Sequence, residues 1–526
     1  MKKFGTCSNL ILNLKFSLCF LVLFPYLSGQ IINQKPELHF TISMDEPSNR
    51  LFKVDLDCKE WISDTIDFKM PQWMPGYYQI MNYYREVSDF SVKSSDGKII
   101  SYSMPDKNTW RIIVPWKNGF RISYNVKAEK KFVANNFLDT THGYIVPPAT
   151  FLYIDNNINT PVRLTVKPYS GWSRIATGLD EVKGNRNEFT APDFDIFYDC
   201  PLLIGNLDEL PSFQIRGVNH RFIAYNPGVF DREKFISALK KTIEAGVNLF
   251  GEIPYRQYTF IGIGPGYGGI EHLNNTTVSF SGKGLNDPDT MERMLKFLAH
   301  EYYHHYNVKR IRPYELGPFD YDRENHTNLL WVSEGLSVYY EYLMVRRAGL
   351  INDDDLLSSI AGNINNYEND PGRIYQSLIG SSFNTWSDGP FGNKPGTQDR
   401  SISYYEKGPV IGLILDLAIR KATNNTNSLD DVMRLLYYEY YKTLQRGFTD
   451  AEFQESCEKI AGVSLAKEFE YVYTTRVIDY KVYLSYAGLN ISEETESGTG
   501  KRKFYISVIE NPDALQKDIL HSLTSD

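Results

Sequence analysis

Residues 290–307 read Thr-Met-Glu-Arg-Met-Leu-Lys-Phe-Leu-Ala-His-Glu-Tyr-Tyr-His-His-Tyr-Asn. Apolar side chains recur at Met291, Met294, Leu295, Leu298, Ala299, Tyr302 and Tyr306. That is the period of a helix with one buried face, not of a strand. Asp287-Pro288 just upstream supplies a capping carboxylate and a proline that suits a first turn. On such a helix His300 and His304 stand one turn apart on the same face, and two imidazoles so placed can grip one metal ion. Glu301 lies beside them, near enough to take a proton from water at the ion but badly placed to ligate. This is the His-Glu-x-x-His arrangement of zinc hydrolases. Alone, the pattern also fits an amphipathic helix with two half-buried, satisfied histidines. Its surroundings must decide.

A catalytic zinc site wants three protein ligands and one open position. The third is sought on a neighbouring helix. Asn328 to Arg347 is strongly helical, and Glu334 lies near its start in Trp331-Val332-Ser333-Glu334-Gly335. Gly335 removes a side chain next to the ion and lets the two helices approach. An exposed acid favouring a helix start is the bland alternative. His272, His305 and His326 are rival ligands. His305 projects about 100° from His304 around the helix axis, which places it behind the ligands or in solvent. Glu301 is the candidate general base. Tyr405, in Tyr404-Tyr405-Glu406-Lys407-Gly408, is the candidate donor to an oxyanion, with Tyr404 the neighbouring alternative.

Working outward toward the N-terminus, residues 36–125 alternate as strands do, for example Leu38 to Ile42, Leu51 to Leu56 and Thr109 to Val114. Turn signals such as Ser95-Asp96-Gly97 separate them. Met70 to Tyr78 is an aromatic loop bounded by prolines. No long helix is expected before about residue 206, so this part reads as a β-sandwich-like domain. Arg232 to Phe250 is then an amphipathic helix and Tyr258 to Ile263 a strand. Gly264 to Gly269 is glycine-rich, but more strand follows it, which disfavours a phosphate loop. Beyond the histidine helix the pattern predicts helices over 352–366, 406–421, 428–444 and 449–460, with 375–400 as a long connection. Short strands return from about 480.

With 526 residues and 42% hydrophobic content, two or three domains are expected. A net charge of −8 with no long basic run excludes nucleic acid as a partner. Lys2, Lys3 and Lys15 precede an apolar run, Phe16 to Leu27, and then Ser28-Gly29. This is the layout of a secretory signal over 1–29. The run is too short to span a membrane well, so no stable anchor is expected after its removal. Cys58, Cys200 and Cys457 remain, too scattered for a metal site; a Cys58–Cys200 disulfide is open.

Taken together, Gly268-Gly269-Ile270-Glu271-His272, His300 to Pro313, Leu316 to Glu324, Trp331 to Gly335 and Tyr404 to Gly408 resemble the glycyl aminopeptidase family of zinc metallopeptidases. The resemblance runs from about residue 35 to 480 and includes the aromatic loop. It implies a multidomain α+β chain: a β-sandwich-like domain over 30–206, a thermolysin-like, mainly helical catalytic domain over 207–480, and a truncated PDZ-like segment over 481–526. It implies one Zn²⁺ held by His300, His304 and Glu334, with Glu301 as base and Tyr405 at the tetrahedral intermediate. It also implies that Glu271 binds the free α-amine of a peptide substrate, on a strand where Gly268 and Gly269 flank the substrate. The physics is sound, because a carboxylate fixed relative to the ion sets the register at one residue.

The expectation is therefore a secreted or periplasmic zinc aminopeptidase acting on N-terminal Gly or Ala. The alternatives are an endopeptidase with the same zinc and a non-catalytic peptide-binding homologue.

Overall fold

The computed structural model describes residues 37–59, 64–114, 119–392 and 400–525. The expected signal segment, 1–29, lies outside them. Leu38, Phe40 and Ile42 are buried and their neighbours are not. That alternation seats one face of Glu37–Ser43 on a core. The strand belongs to a seven-stranded sheet ordered Asp180–Glu181, Glu188–Ala191, Val162–Lys167, Glu37–Ser43, Leu51–Lys59, Phe120–Lys127, Val87–Ser94. Register places Phe40 opposite Leu56 and Leu56 opposite Ile122. Only the pairing of Glu37–Ser43 with Val162–Lys167 is parallel. A four-stranded sheet built on Thr65–Lys69 and Thr109–Ile113 packs on this one, with Phe68 and Phe120 ring centroids 6.2 Å apart. A further four-stranded sheet contains His142–Ile145 and Leu202–Gly205. Among the described residues one short α-helix, Phe194–Tyr198, and three single 3-10 turns interrupt the strands.

The chain then changes character. Val218–Ala224, the helix Arg232–Phe250 and Gln257–Gly262 form a parallel β-α-β crossover, with Phe222 opposite Phe260. Asp231 caps the helix through Lys234 N, and Gly251 at φ +79° ends it. Asn275–Val278 continues the sheet in parallel, and Gly269–Glu271 lies antiparallel on its edge. The glycine-rich segment thus leads into an edge strand, as its sequence suggests.

Helices follow. Pro288–Tyr303 carries the histidines. Trp331–Gly335 is a π-turn that continues as the α-helix Leu336–Arg347. Asp353–Glu368, Tyr404–Ala422 and Asp450–Ala461 complete the predicted set. Two expectations need correction. The described part of 375–400 is not a plain connection, because it holds the short helices Leu378–Phe383 and Thr385–Asp388. The helix over 428–444 is α only for Leu429–Leu435 and π-type for Leu436–Leu444. Helices Ala466–Tyr473, Tyr480–Ser485 and Ala514–Thr524 escaped the sequence reading.

The segment 481–526 contributes a hairpin, Leu489–Thr495 with Arg502–Val508, and the last helix. Its Leu489, Ile491, Phe504, Ile519 and Leu523 join the core of the helical region. Arg502 pairs with the buried Glu368, which also accepts from Tyr480 Oη at 2.8 Å. Cys58, Cys200 and Cys457 are buried and free, so no Cys58–Cys200 bridge forms. Among the described residues no helix is long and apolar enough to cross a membrane.

The two cores meet through the aromatic loop. Trp73 and Tyr78 leave the β-rich part and join the helical core, where Trp73 meets Trp386 edge-on at 5.1 Å. Trp73 Nε1 donates to Asp320 O at 2.8 Å. Asp322 accepts from Lys69 Nζ at 2.7 Å and Asn108 Nδ2 at 2.6 Å. This lock brings the loop against the site described next.

Candidate metal centre

The histidine helix starts where its sequence says. Asp287 accepts from Thr290 N at 2.9 Å and Pro288 occupies the first turn. It ends three residues before Tyr306. His304 keeps helical angles, φ −59° and ψ −23°, as the closing residue, so the one-turn spacing to His300 survives. His300 Nε2 lies 2.9 Å from His304 Nε2. Glu334 Oε2 lies 3.2 Å from His304 Nε2 and 3.6 Å from His300 Nε2. Among the described residues, these three form the one cluster of acidic, histidine or cysteine side chains able to share a cation.

The triangle fits zinc. Tetrahedral N and O ligands about 2.0–2.1 Å from the ion sit roughly 3.3 Å from each other, and the observed edges bracket that spacing. Both rings turn Nε2 inward, and each Nδ1 faces a supporting oxygen on the other side. His304 Nδ1 donates to Asn307 O at 2.8 Å. His300 Nδ1 lies 3.0 Å from Glu341 Oε2, an ion-pair distance with the N–H aimed off line. Carboxylate or carbonyl support of this kind fixes ring orientation and ligand basicity.

Burial would lower the histidine pKa values, but the surrounding carboxylates together outweigh it, Glu334 and Glu341 at His300 and chiefly Glu334 at His304, and both are raised. Burial would raise Glu334, and the facing rings, His304 foremost, hold it well below the usual carboxylate range instead. The pocket is therefore built around a positive charge.

Glu334 sits in a π-turn, a widening common at functional sites. The turn is held from the histidine side of the site: Asn307 Nδ2 donates to Val332 O at 2.8 Å and to Ser333 O at 3.2 Å. Asn307 thus orients both His304 and the turn carrying Glu334. Gly335 does allow close helix approach, but against a different helix than expected. A Cβ there would lie 2.6 Å from Gly408 Cα and 2.8 Å from Tyr404 O. The backbones of Trp331–Gly335 and Tyr404–Ala422 touch at these two glycines. That contact delivers Tyr405, whose hydroxyl donates to Glu334 Oε2 at 2.9 Å. Tyr404 Oη instead meets Thr385 Oγ1 at 3.1 Å.

Glu301 is buried, and burial pushes its carboxyl up to about 7 against the pull of His300 and His304. Gly269 lies against it so closely that any Cβ would collide with the carboxylate. Thr276 Oγ1 donates to Ile270 O at 3.0 Å and approaches Glu301 Oε2 at 3.4 Å. The edge strand Gly269–Glu271 is thereby fastened to the base. Glu271, two residues on, is 4% exposed, and its Oε1 has no hydrogen-bond partner. Gly76 of the aromatic loop takes φ +90°, and a Cβ on it would lie 2.7 Å from Glu271 Oε2. Gly268 takes φ +87° at the turn into the strand.

The rival ligands sit elsewhere. His305 is not solvated. It is fully buried between the rings of Tyr302 and Tyr306, 4.4 and 3.7 Å away, and burial drives its pKa well down. His272 faces Asp199 at 3.1 Å. His326 bonds Phe383 O and Glu324. Glu341 and Asn307 join the site without a motif to mark them. Glu341 is seven residues after Glu334, hence on the same helix face. Asn307 ends the very stretch that carries the histidines.

Two family models match the chain: the peptidase M61 N-terminal domain over residues 39–206 and the M61 glycyl aminopeptidase over 293–411. The chain belongs to the M61 glycyl aminopeptidase family. It is therefore a metallopeptidase hydrolase by family. An aminopeptidase N family protein from Idiomarina loihiensis shares the fold at TM-score 0.82 and 25% identity, over 87% of this chain and 79% of that one. Aminopeptidase A from Legionella pneumophila, in complex with aspartic acid, gives TM-score 0.53 at 14% identity over 90% and 52%. A mutant M1 zinc metallopeptidase from Deinococcus radiodurans, bound to a Tyr-Ser-Ala substrate, gives 0.51 at 13% over 85% and 95%. The last two are likenesses of fold. No curated protein matches.

Proposed function

We propose that this member of the M61 family is a zinc-dependent aminopeptidase that releases small N-terminal residues, Gly or Ala, from peptides. His300, His304 and Glu334 hold the ion. Bound zinc supplies Lewis acidity, which makes water acidic near neutral pH and polarises a carbonyl. The observation that carries the reading is Glu271: a buried carboxylate with an unpartnered oxygen, on the edge strand fastened to Glu301. Burying a carboxyl group short of hydrogen-bond partners is costly, and a substrate ammonium would supply the missing donor.

Glu301 takes the proton of the attacking water and returns it to the departing amine. Tyr405 turns its hydroxyl from Glu334 to the developing oxyanion. Glu271 pairs with the α-ammonium and places the first peptide bond at the base. Gly76 presses the aromatic loop onto Glu271, which leaves little width beside the anchor and supports a preference for small residues. The segment 1–29 reads as a secretory signal, so the enzyme acts outside the cytoplasm, in the periplasm or beyond.

The test is a panel of Gly-, Ala-, Leu- and Phe-aminoacyl reporters, each with a free and an acetylated amine. Fast turnover confined to free Gly and Ala is expected. Equal turnover of acetylated peptides would instead indicate an endopeptidase.

A further inference from the structure

The motif that carries the histidines continues into Lys309, Arg310 and Arg312, and the proposed chemistry uses none of them. These three residues open onto a cavity of about 320 Å³ completed by Tyr441, Lys442, Gln445 and Arg446. Five of its seven lining residues are cations and none is acidic. Three of the cations are paired behind the wall. Lys309 meets Asp199 at 2.8 Å, Lys442 meets Glu252 at 2.6 Å, and Arg446 holds Glu452 through both of its terminal nitrogens.

Arg310 and Arg312 differ. Among the described residues neither has a carboxylate within ion-pair distance. Arg310 is 4% exposed and donates only to carbonyls: His305 O at 2.6 Å, Leu273 O at 3.1 Å and Pro254 O at 3.1 Å. Its Nε is buried with no acceptor at all. The half-buried Arg312 guanidinium makes no hydrogen bond to any described residue. It rests on Gly317, where any Cβ would collide with it. The carboxylate that acts on it most from a distance, Asp195, is engaged by the Tyr321 hydroxyl at 2.5 Å.

A buried guanidinium with an orphaned N–H, beside a second with no partner, is expensive to maintain without an anion. Two guanidinium groups without a direct carboxylate partner favour an anion that carries more than one negative charge. The donors are flat guanidinium forks, which match the oxygens of a tetrahedral oxyanion better than a halide. We propose that this cavity is a binding site for phosphate or the phosphate group of a small molecule. The ligand accepts from the guanidinium groups of Arg312 and Arg446, both of which line the cavity, with Arg310 adding its charge from the wall.

The site is separate from the metal triangle, yet mechanically tied to it. Arg310 bridges the carbonyl of His305, just past the ligand His304, and that of Leu273, two residues after Glu271. An oxyanion in the cavity therefore sits beside the residue that joins the metal helix to the anchor strand.

Calorimetry on the full chain, with inorganic phosphate as probe and ionic strength held constant with sodium chloride, tests this. Saturable one-to-one binding is expected, weakened about tenfold in Arg312→Gln and again in Arg446→Gln, since each loses charge-assisted hydrogen bonds. Neither residue touches the metal ligands or Glu271, so metal content should be unchanged. Arg446→Gln keeps the test decisive if Arg312→Gln fails to fold. Absence of phosphate binding would overturn the proposal. So would binding that survives both substitutions, which would place the anion at the metal.

Discussion

The metal side and the anchor side of the site are built on opposite terms. Around His300, His304 and Glu334 every inward-facing atom has a neighbour, and each ring is braced from behind by Asn307, Ser337 or Glu341. Around Glu271 a buried carboxylate oxygen lacks any donor, and a glycine of another part of the chain is pressed onto the other oxygen. A resident ion needs a complete cage before it arrives. A transient ammonium needs an acceptor that the protein itself leaves unsatisfied. The same low-dielectric surroundings serve both ends.

The largest break in this contrast comes at Glu301, which belongs to neither half. Glu301→Gln keeps shape and removes the proton acceptor. Activity on Gly and Ala reporters should fall about 10²–10⁴-fold, while elemental analysis finds unchanged metal. Loss of metal together with activity would mean that Glu301 supports the cage instead.

Glu341→Gln sharpens the metal side. It leaves the three ligands in place and removes only the charge behind His300. Metal affinity should drop about 10–100-fold, measured by competition with a chromophoric chelator, with near-normal turnover once metal is saturating. An unchanged affinity would reduce Glu341 to a packing residue.

Much of this was legible in the chain. Period and capping placed the histidine helix, since Asp287-Pro288 and the Met291 to Tyr302 stripe are local signals that tertiary packing then reinforced. Alternation placed the sandwich strands for the same reason. What escaped depends on distant pairs. Gly335 meets Gly408, and Trp73 reaches Asp320, through contacts between segments far apart in sequence that no local pattern encodes. The π-turn at Trp331–Gly335 escaped because its apolar spacing is that of an ordinary helix start. His305 went astray because a lone histidine beside two ligands gives no hint of the tyrosine nest that buries it.

Glu271→Gln probes the anchor side. The amide keeps volume and loses the charge that an ammonium would meet. A charge-assisted hydrogen bond is worth about 1.5–3 kcal/mol, so kcat/KM on free-amine substrates should fall about 10–100-fold. Acetylated substrates, poor already, should be unaffected. Equal losses on both would show that the residue shapes the site instead of reading the amine.

The smallest and most discriminating change is Gly76→Ala. A methyl group at φ +90° is strained in its own backbone, and it would arrive 2.7 Å from Glu271 Oε2. The loop, held by Trp73 and Gln72, cannot retreat freely, so the carboxylate must shift. Because Gly76 touches the anchor and no metal ligand, the loss should appear in KM for free-amine substrates, about fivefold for roughly 1 kcal/mol, with metal affinity untouched. The loss should also be larger for Ala than for Gly reporters, since an added methyl and a substrate side chain compete for the same space. A uniform drop in kcat across the panel would mean instead that the loop acts on Glu301 through the edge strand, and that anchor and base respond as one unit.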